Sequence, residues 1–210
     1  NPGPRVATSE EYDGSSWTAG GTASVAADSV IGCGTQTSGL VFGGNVPSPP
    51  PYSQTTSTEE YGGTSWTSGG NLVQKRSQLG GAGTQTTGLA FGGTIQTPPS
   101  ITGHTEEYDG SSWTSQSNTM TARWAFGSAG TQTAGYGFGG YTPSQTTATE
   151  VYDGTSWASQ PSMATARVYN SGAGTAPVGI FTVGDFPAAN TTEEFIGETT
   201  AVNVKTLTQA

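Results

Sequence analysis

The chain has 210 residues and a formal net charge of −9, with only six lysines and arginines. So few cations leave no electrostatic footprint for nucleic acid or for an anionic membrane surface, and neither is expected as a partner. Glycine, serine and threonine dominate beside a hydrophobic fraction of 31%, which disfavours helix and points to an all-β chain, while aromatic residues recurring in register argue against disorder.

Asn1-Pro2-Gly3-Pro4 has the composition of the proline-bearing connectors found later, so the chain is expected to begin inside a repeat, with strands missing upstream. Residues 6–12 predict a strand. Asp13-Gly14 predicts a type I′ hairpin turn, in which both central residues take positive φ, and residues 15–18 the returning strand with Trp17. Near-copies of the segment 10–17 stand at 59–66, 106–113 and 150–157, and an eroded fifth copy starts at Glu193. Tyr12, Tyr61, Tyr108, Tyr152 and the equivalent Phe195 are 49, 47, 44 and 43 residues apart, a period of solenoids and propellers.

Two further strands are expected in each period. They are 23–33 with 39–42, 76–82 with 88–91, 123–129 with 135–138, and 167–173 with 178–183. The second strand of each pair runs into Gly43-Gly44, Gly92-Gly93 or Gly139-Gly140, and into Gly184-Asp185 in the last period. With the strands called a, b, c and d, each period is a four-stranded antiparallel meander, the size of a propeller blade. The expected fold is thus an all-β β-propeller of about five blade positions with the first incomplete. Its divisions are a half blade at 1–17, full blades at 18–66, 67–113 and 114–157, and an atypical last blade at 158–210 with strand c at 191–195 and strand d at 201–208, all in a single domain.

An apolar run closed by a double glycine, a tyrosine after a variable loop, and a tryptophan shortly after resemble the kelch repeat over essentially the whole chain. The five-residue step from Tyr108 to Trp113 is tighter than the usual kelch interval. The Asp-Gly-Ser-Ser-Trp segments also look like the Asp-box hairpins of sialidase-type propellers, without the residue those boxes place between Asp and Gly. Both resemblances imply the same fold. Kelch-like galactose oxidases hold copper on two histidines and a cysteine-modified tyrosine, and a chain whose one histidine is His104 cannot supply that set. No cofactor or metal is called for, and no catalytic residue is assigned.

Arg76, Arg123 and Arg167 each stand seven residues before the glycine of an Ala-Gly-Thr signature, where the first full blade has Ala27. Three arginines could form a sialidase-like carboxylate-binding triad. A side chain repeated once per blade more simply pairs with the once-per-blade glutamates Glu59, Glu106, Glu107 and Glu150, because buried charges are found paired. Those of the first full blade would be left without such a partner. The pairs Glu10-Glu11, Glu59-Glu60 and Glu106-Glu107 could be a glycosidase acid and base, but adjacent strand residues point to opposite faces and cannot act on one atom. Tyr12, Trp17, Tyr61, Trp66, Tyr108, Trp113, Tyr152 and Trp157 could stack on sugars, and packing between blades is the simpler use. Trp124 breaks the repeat, standing where other blades have Ser77 or Val168, and suits an interface anchor or a local packing change. Cys33 is expected to be a small buried residue in a strand.

The b–c connectors vary in length and the a–b and c–d turns hardly do, so the loops that carry prolines and aromatics gather on one face, where recognition is expected. Pro49, Pro50, Tyr52, Ile101, His104, Tyr141 and Gln145 are the candidate contact residues. The expected function is a non-enzymatic binding or structural module on a virus particle or cell surface, taking a protein or glycan partner or assembling with further copies. The Thr/Gly-rich kelch-like arrays of tailed phages and bacterial surfaces, which this chain resembles, imply that setting. The competing expectation is a carbohydrate-active enzyme of sialidase or oxidase kind.

Overall fold

The computed structural model describes residues 5–47, 53–96, 99–175, 178–183, 191–196 and 204–208. The opening half-blade is a hairpin of β1 (Thr8–Tyr12) and β2 (Trp17–Thr22). In the first full blade β3 (Ile31–Thr35) and β4 (Ser38–Phe42) are followed by a short ribbon, β5 (Asn45–Val46) and β6 (Ser53–Gln54), then β7 (Thr58–Tyr61) and β8 (Trp66–Ser68). The second has β9 (Gly80–Gly83), β10 (Gly88–Phe91), the ribbon β11 (Thr94–Gln96) and β12 (Pro99–Ile101), then β13 (Thr105–Tyr108) and β14 (Trp113–Gln116). The third has β15 (Gly127–Thr131), β16 (Ala134–Phe138), β17 (Thr149–Tyr152) and β18 (Trp157–Gln160). The last has β19 (Ser171–Thr175), β20 (Val178–Val183), β21 (Thr191–Ile196) and β22 (Val204–Thr208).

Each of the four later units is one four-stranded antiparallel sheet in meander order a–b–c–d, and the ribbons are separate two-stranded sheets rising from the b–c connections. The fold is therefore all-β, a β-propeller array of five blade positions, the first with two strands among the described residues. The a strands of successive blades lie side by side, β3 against β9, β9 against β15 and β15 against β19.

Strand a begins later than the hydrophobic pattern suggests, at Ile31, Gly80, Gly127 and Ser171. The cause lies just upstream, where Ser29, Gln78, Ala125 and Tyr169 take φ of 54, 55, 51 and 54°, the non-glycine residues in left-handed backbone among those described. A left-handed residue breaks the pleat and costs roughly 1–3 kcal/mol, so something must hold it there. That something is a blade-to-blade ladder. Gln78 N–H donates to the Ser29 carbonyl (3.2 Å), Ala125 N–H to Gln78 (3.1 Å) and Tyr169 N–H to Ala125 (2.7 Å).

The c–d turn also differs from the two-residue hairpin expected. Tyr12 pairs with Trp17, so four residues form the loop and strand d starts at Trp17. Gly14 has φ of +99° while Asp13 is not left-handed. The aspartate closes the turn with its side chain instead. Its Oδ1 accepts the N–H groups of Ser15 and Ser16, both at 2.8 Å, and Asp109 and Asp153 repeat the arrangement.

The apolar core lies between blades. Leu40 and Phe42 of the first full blade pack with Leu79, Ala90, Tyr108 and Trp113 of the second. Leu89 and Phe91 pack with Phe126, Tyr152 and Trp157 of the third, and Tyr136 and Phe138 with Met163 and Phe195 of the last. The Phe-Gly-Gly signature follows from this stacking. In Gly43-Gly44, Gly92-Gly93 and Gly139-Gly140 both residues have positive φ, and the second N–H bonds the carbonyl of Arg76, Arg123 or Arg167 in the next blade at 2.9, 2.8 or 2.7 Å.

Candidate functional site

The once-per-blade residues form a repeated bonding set between and within blades. In the four later blades the first glutamate of the segment, Glu59, Glu106, Glu150 or Glu193, turns inward. Glu106, fully buried, accepts the N–H groups of Val73 and Gln74 from the d–a connection and faces Arg76 Nη2 at 2.9 Å. Glu150 does the same with Met120, Thr121 and Arg123, and Glu193 with Ala164, Thr165 and Arg167, the last pair 3.5 Å apart. Burial pulls the Arg76 guanidinium down to about 10, against the pull of Glu106, and leaves it charged at neutral pH.

The second glutamate points to the other face and receives a tyrosine hydroxyl from the following blade. Tyr61 donates to Glu11, Tyr108 to Glu60 at 2.5 Å and Tyr152 to Glu107 at 3.0 Å. Burial, with Glu60 beside it, raises the Tyr108 phenol to about 12. The tryptophans reach back in the same sense. Trp66 Nε1–H donates to Ser9 Oγ at 3.1 Å, Trp113 to Thr58 at 2.9 Å and Trp157 to Thr105 at 3.0 Å.

A third back-contact comes from the Gly-Thr-Gln-Thr turns. Gln36, Gln85 and Gln132 donate through Nε2 to the carbonyls of Tyr12, Tyr61 and Tyr108 in the preceding blade, at 3.0, 2.7 and 2.7 Å. Sequence reasoning missed this clamp, although a glutamine kept at one turn position through three repeats was its visible signal.

Of the candidate contact residues, Pro49, Pro50 and Tyr52 lie outside the described residues. Ile101 ends β12, opposite Thr94. His104 turns away from the loop surface toward the arginine site. Its carbonyl accepts from Arg76 Nη1, and its Nδ1 lies 3.3 Å from Glu106 Oε1. Burial and the Arg76 charge hold the imidazole below its ordinary pKa, with Glu106 pulling the other way.

Tyr141 and Gln145 bridge to each other within the third connector. The Tyr141 ring stands 5.5 Å from Trp124, which also meets Tyr169 in a T-shaped contact at 5.9 Å. Tyr141 is 36% exposed and Tyr169 54%. The three rings make an open aromatic patch on this face. Tyr169 escaped the sequence reading because its exposure follows from the left-handed ladder, which no periodicity marks.

Cys33 lies in β3 and is half-buried rather than fully buried; burial raises its thiol to about 12. Among the described residues no group of three or more His, Cys, Asp or Glu is placed to hold a metal ion, and no helix is long and apolar enough to cross a membrane. No protein-family model matches the chain, and no curated protein matches it.

Proposed function

We propose that this chain is a non-enzymatic, kelch-like binding or structural module, displayed on a virus particle or cell surface, that recognises a protein or glycan through the b–c loop face. The observation that carries this is the patch of Trp124, Tyr141 and Tyr169, partly exposed rings supported on rigid blade edges. Large aromatics of this kind give contact area at low entropy cost, and they are the residues enriched at binding hot spots. The repeated carboxylates and guanidiniums, which a hydrolase would need at its substrate, are engaged with one another, with backbone N–H groups and with tyrosines. The Thr/Gly-rich kelch-like character supports the surface setting.

The test is the triple variant Trp124→Ser, Tyr141→Ser, Tyr169→Ser beside replacement of 47–52 by a short Gly-Ser connector. Exchange of the second connector has to stop before Thr102, because Thr102 N–H and the His104 carbonyl bond the blade body. Glycan-array binding or assembly should weaken while the thermal midpoint of the connector variant hardly moves. Assembly that survives these changes and fails on substitution of Thr86 and Thr133, exposed in the Gly-Thr-Gln-Thr turns, would place the contact on the opposite face. Turnover on common glycans that is lost with a single glutamate would make the chain a carbohydrate-active enzyme.

A further inference from the structure

Two blades contain the same guanidinium slot, the last pairs Arg167 with Glu193, and the first full blade contains the slot without its arginine. Around Arg76, Nη2 donates to Glu106 at 2.9 Å and to the Ala90 carbonyl at 3.4 Å, and Nη1 to the carbonyls of Gly92 at 3.4 Å and His104. Arg123 meets the equivalent acceptors, Glu150, Gly139 (3.3 Å) and Ala148 (2.7 Å). In the first full blade the acceptors are in register. Val41 pairs with Glu59 as Ala90 pairs with Glu106, and Gly43 N–H donates to Ser57 (3.0 Å) as Gly92 N–H does to His104 (3.1 Å). Where the arginine would enter stands Ala27.

The space is open. Ala27, Val41, Gly43, Ser57 and Glu59 line a small cavity. Sharing Ala27, Val41 and Glu59 with it is a cavity of about 230 Å³ that reaches Val6, Ser9 and Trp66 between the half-blade and the first full blade. Glu59 is 6% exposed and accepts the N–H groups of Ser24 and Val25 at 2.7 and 2.8 Å, but among the described residues no cation lies within ion-pair distance of it. A buried carboxylate without a counter-charge is costly, and a planar guanidinium fork matches one carboxylate oxygen flanked by carbonyls where a compact ammonium does not.

We propose that this slot binds the guanidinium of an arginine presented by a polypeptide outside these 210 residues. The chain cannot fill it. Its four arginines are Arg76, Arg123 and Arg167, each paired with the glutamate of its own blade, and Arg5, which is bound to Asp28. The cavity walls supply apolar contact for an aliphatic stem, and the half-blade side supplies the way in.

The proposal does not rest on the loop-face reading, and loop replacement should leave it untouched. The probes are n-butylguanidine, n-butylamine, and a capped Ala-Arg-Ala peptide beside its citrulline counterpart, each titrated while the thermal midpoint is read. Butylguanidine and the arginine peptide should raise the midpoint saturably by a few degrees, with the amine and the citrulline peptide inert. Glu59→Gln should abolish the response. Ala27→Arg should abolish it too and raise the midpoint of the ligand-free protein, since the new side chain occupies the slot. No guanidine response, an equal amine response, or a lowered midpoint in Ala27→Arg would overturn the proposal. A response to butylguanidine without one to the arginine peptide would overturn the polypeptide source.

Discussion

Arg123 and Glu150 are both withdrawn from water, each exposing 3% or less of its side chain, so the guanidinium and the carboxylate replace for each other much of the solvation they have lost. Removing one leaves a buried charge without its partner, and Arg123→Ala should lower stability by about 3–5 kcal/mol. Arg5 also pairs with a carboxylate, but its partner Asp28 is 46% exposed, and water replaces what the pair supplied. Arg5→Ala should therefore cost about 1 kcal/mol or less. Denaturant midpoints with unchanged slopes measure both, and equal midpoints would remove the ion pairs from the account of stability. The arginine position was legible because a charge at a fixed offset from a recurring glycine needs a fixed partner. What could not be read was which glutamate of each pair it meets, since that depends on the face each residue presents after the left-handed residues have reset the strand start.

The blade element carries a natural exchange that turns its tyrosine contact into an experiment. Where Tyr152 meets Glu107, the next contact has Phe195 and Val151 at the equivalent positions, both packed against the cluster of Tyr136 and Phe138, so hydroxyl and carboxylate are absent together and apolar packing remains. Tyr152→Phe and Glu107→Val should each destabilise alone, and the double variant should recover about 1 kcal/mol relative to their sum. A strictly additive cycle would deny the contact any energetic role. The c–d turn gives a second test. Hydrogen bonds from the Ser112 backbone and from Ser111 hold Asp109 at about 2, and those of Ser156 and Thr155 hold Asp153 there as well. The unfolded carboxyl titrates near about 3.9. The folded pKa is the lower one, so the turns' contribution is present above about pH 4 and is lost as pH falls toward about 2. Urea midpoints taken across that range should fall less steeply in an Asp109→Asn, Asp153→Asn variant than in the parent chain. The Asp-Gly pattern announced a turn correctly, but the aspartate was needed for its side-chain acceptor and not for its φ, which short-range turn statistics do not separate.

Across the whole molecule, one motif has different consequences according to what stands behind it. Blades bury their aromatics only against a neighbour, so stability is a sum over blade contacts rather than over blades. The repeat period, the four strands and their order were readable in the sequence, because a period of this length with a double glycine and a fixed Tyr–Trp step leaves few other solutions. The packing partner of each aromatic was not, because identical segments give no sign of which neighbour covers which. Trp113 is 5% exposed against Phe42, with ring centroids 4.8 Å apart, and Tyr108 beside it is fully buried. Trp17 and Tyr12 stand in the same local segment, stacked on each other at 5.2 Å, yet are 67% and 48% exposed because no preceding blade lies among the described residues. Trp113→Ala should open a cavity at a blade contact and cost roughly 3–5 kcal/mol. Trp17→Ala removes the same side chain from the same sequence and should cost about 0.5 kcal/mol or less. Hydrogen exchange should show the matching gradient, with amides of β10, β13, β16 and β17 opening last and those of β1 and β2 first, since among the described residues no buried apolar cluster joins the latter to the next blade. Comparable losses for the two tryptophans would mean that Trp17 is covered in solution, and its partner could then be found by cross-linking from that position.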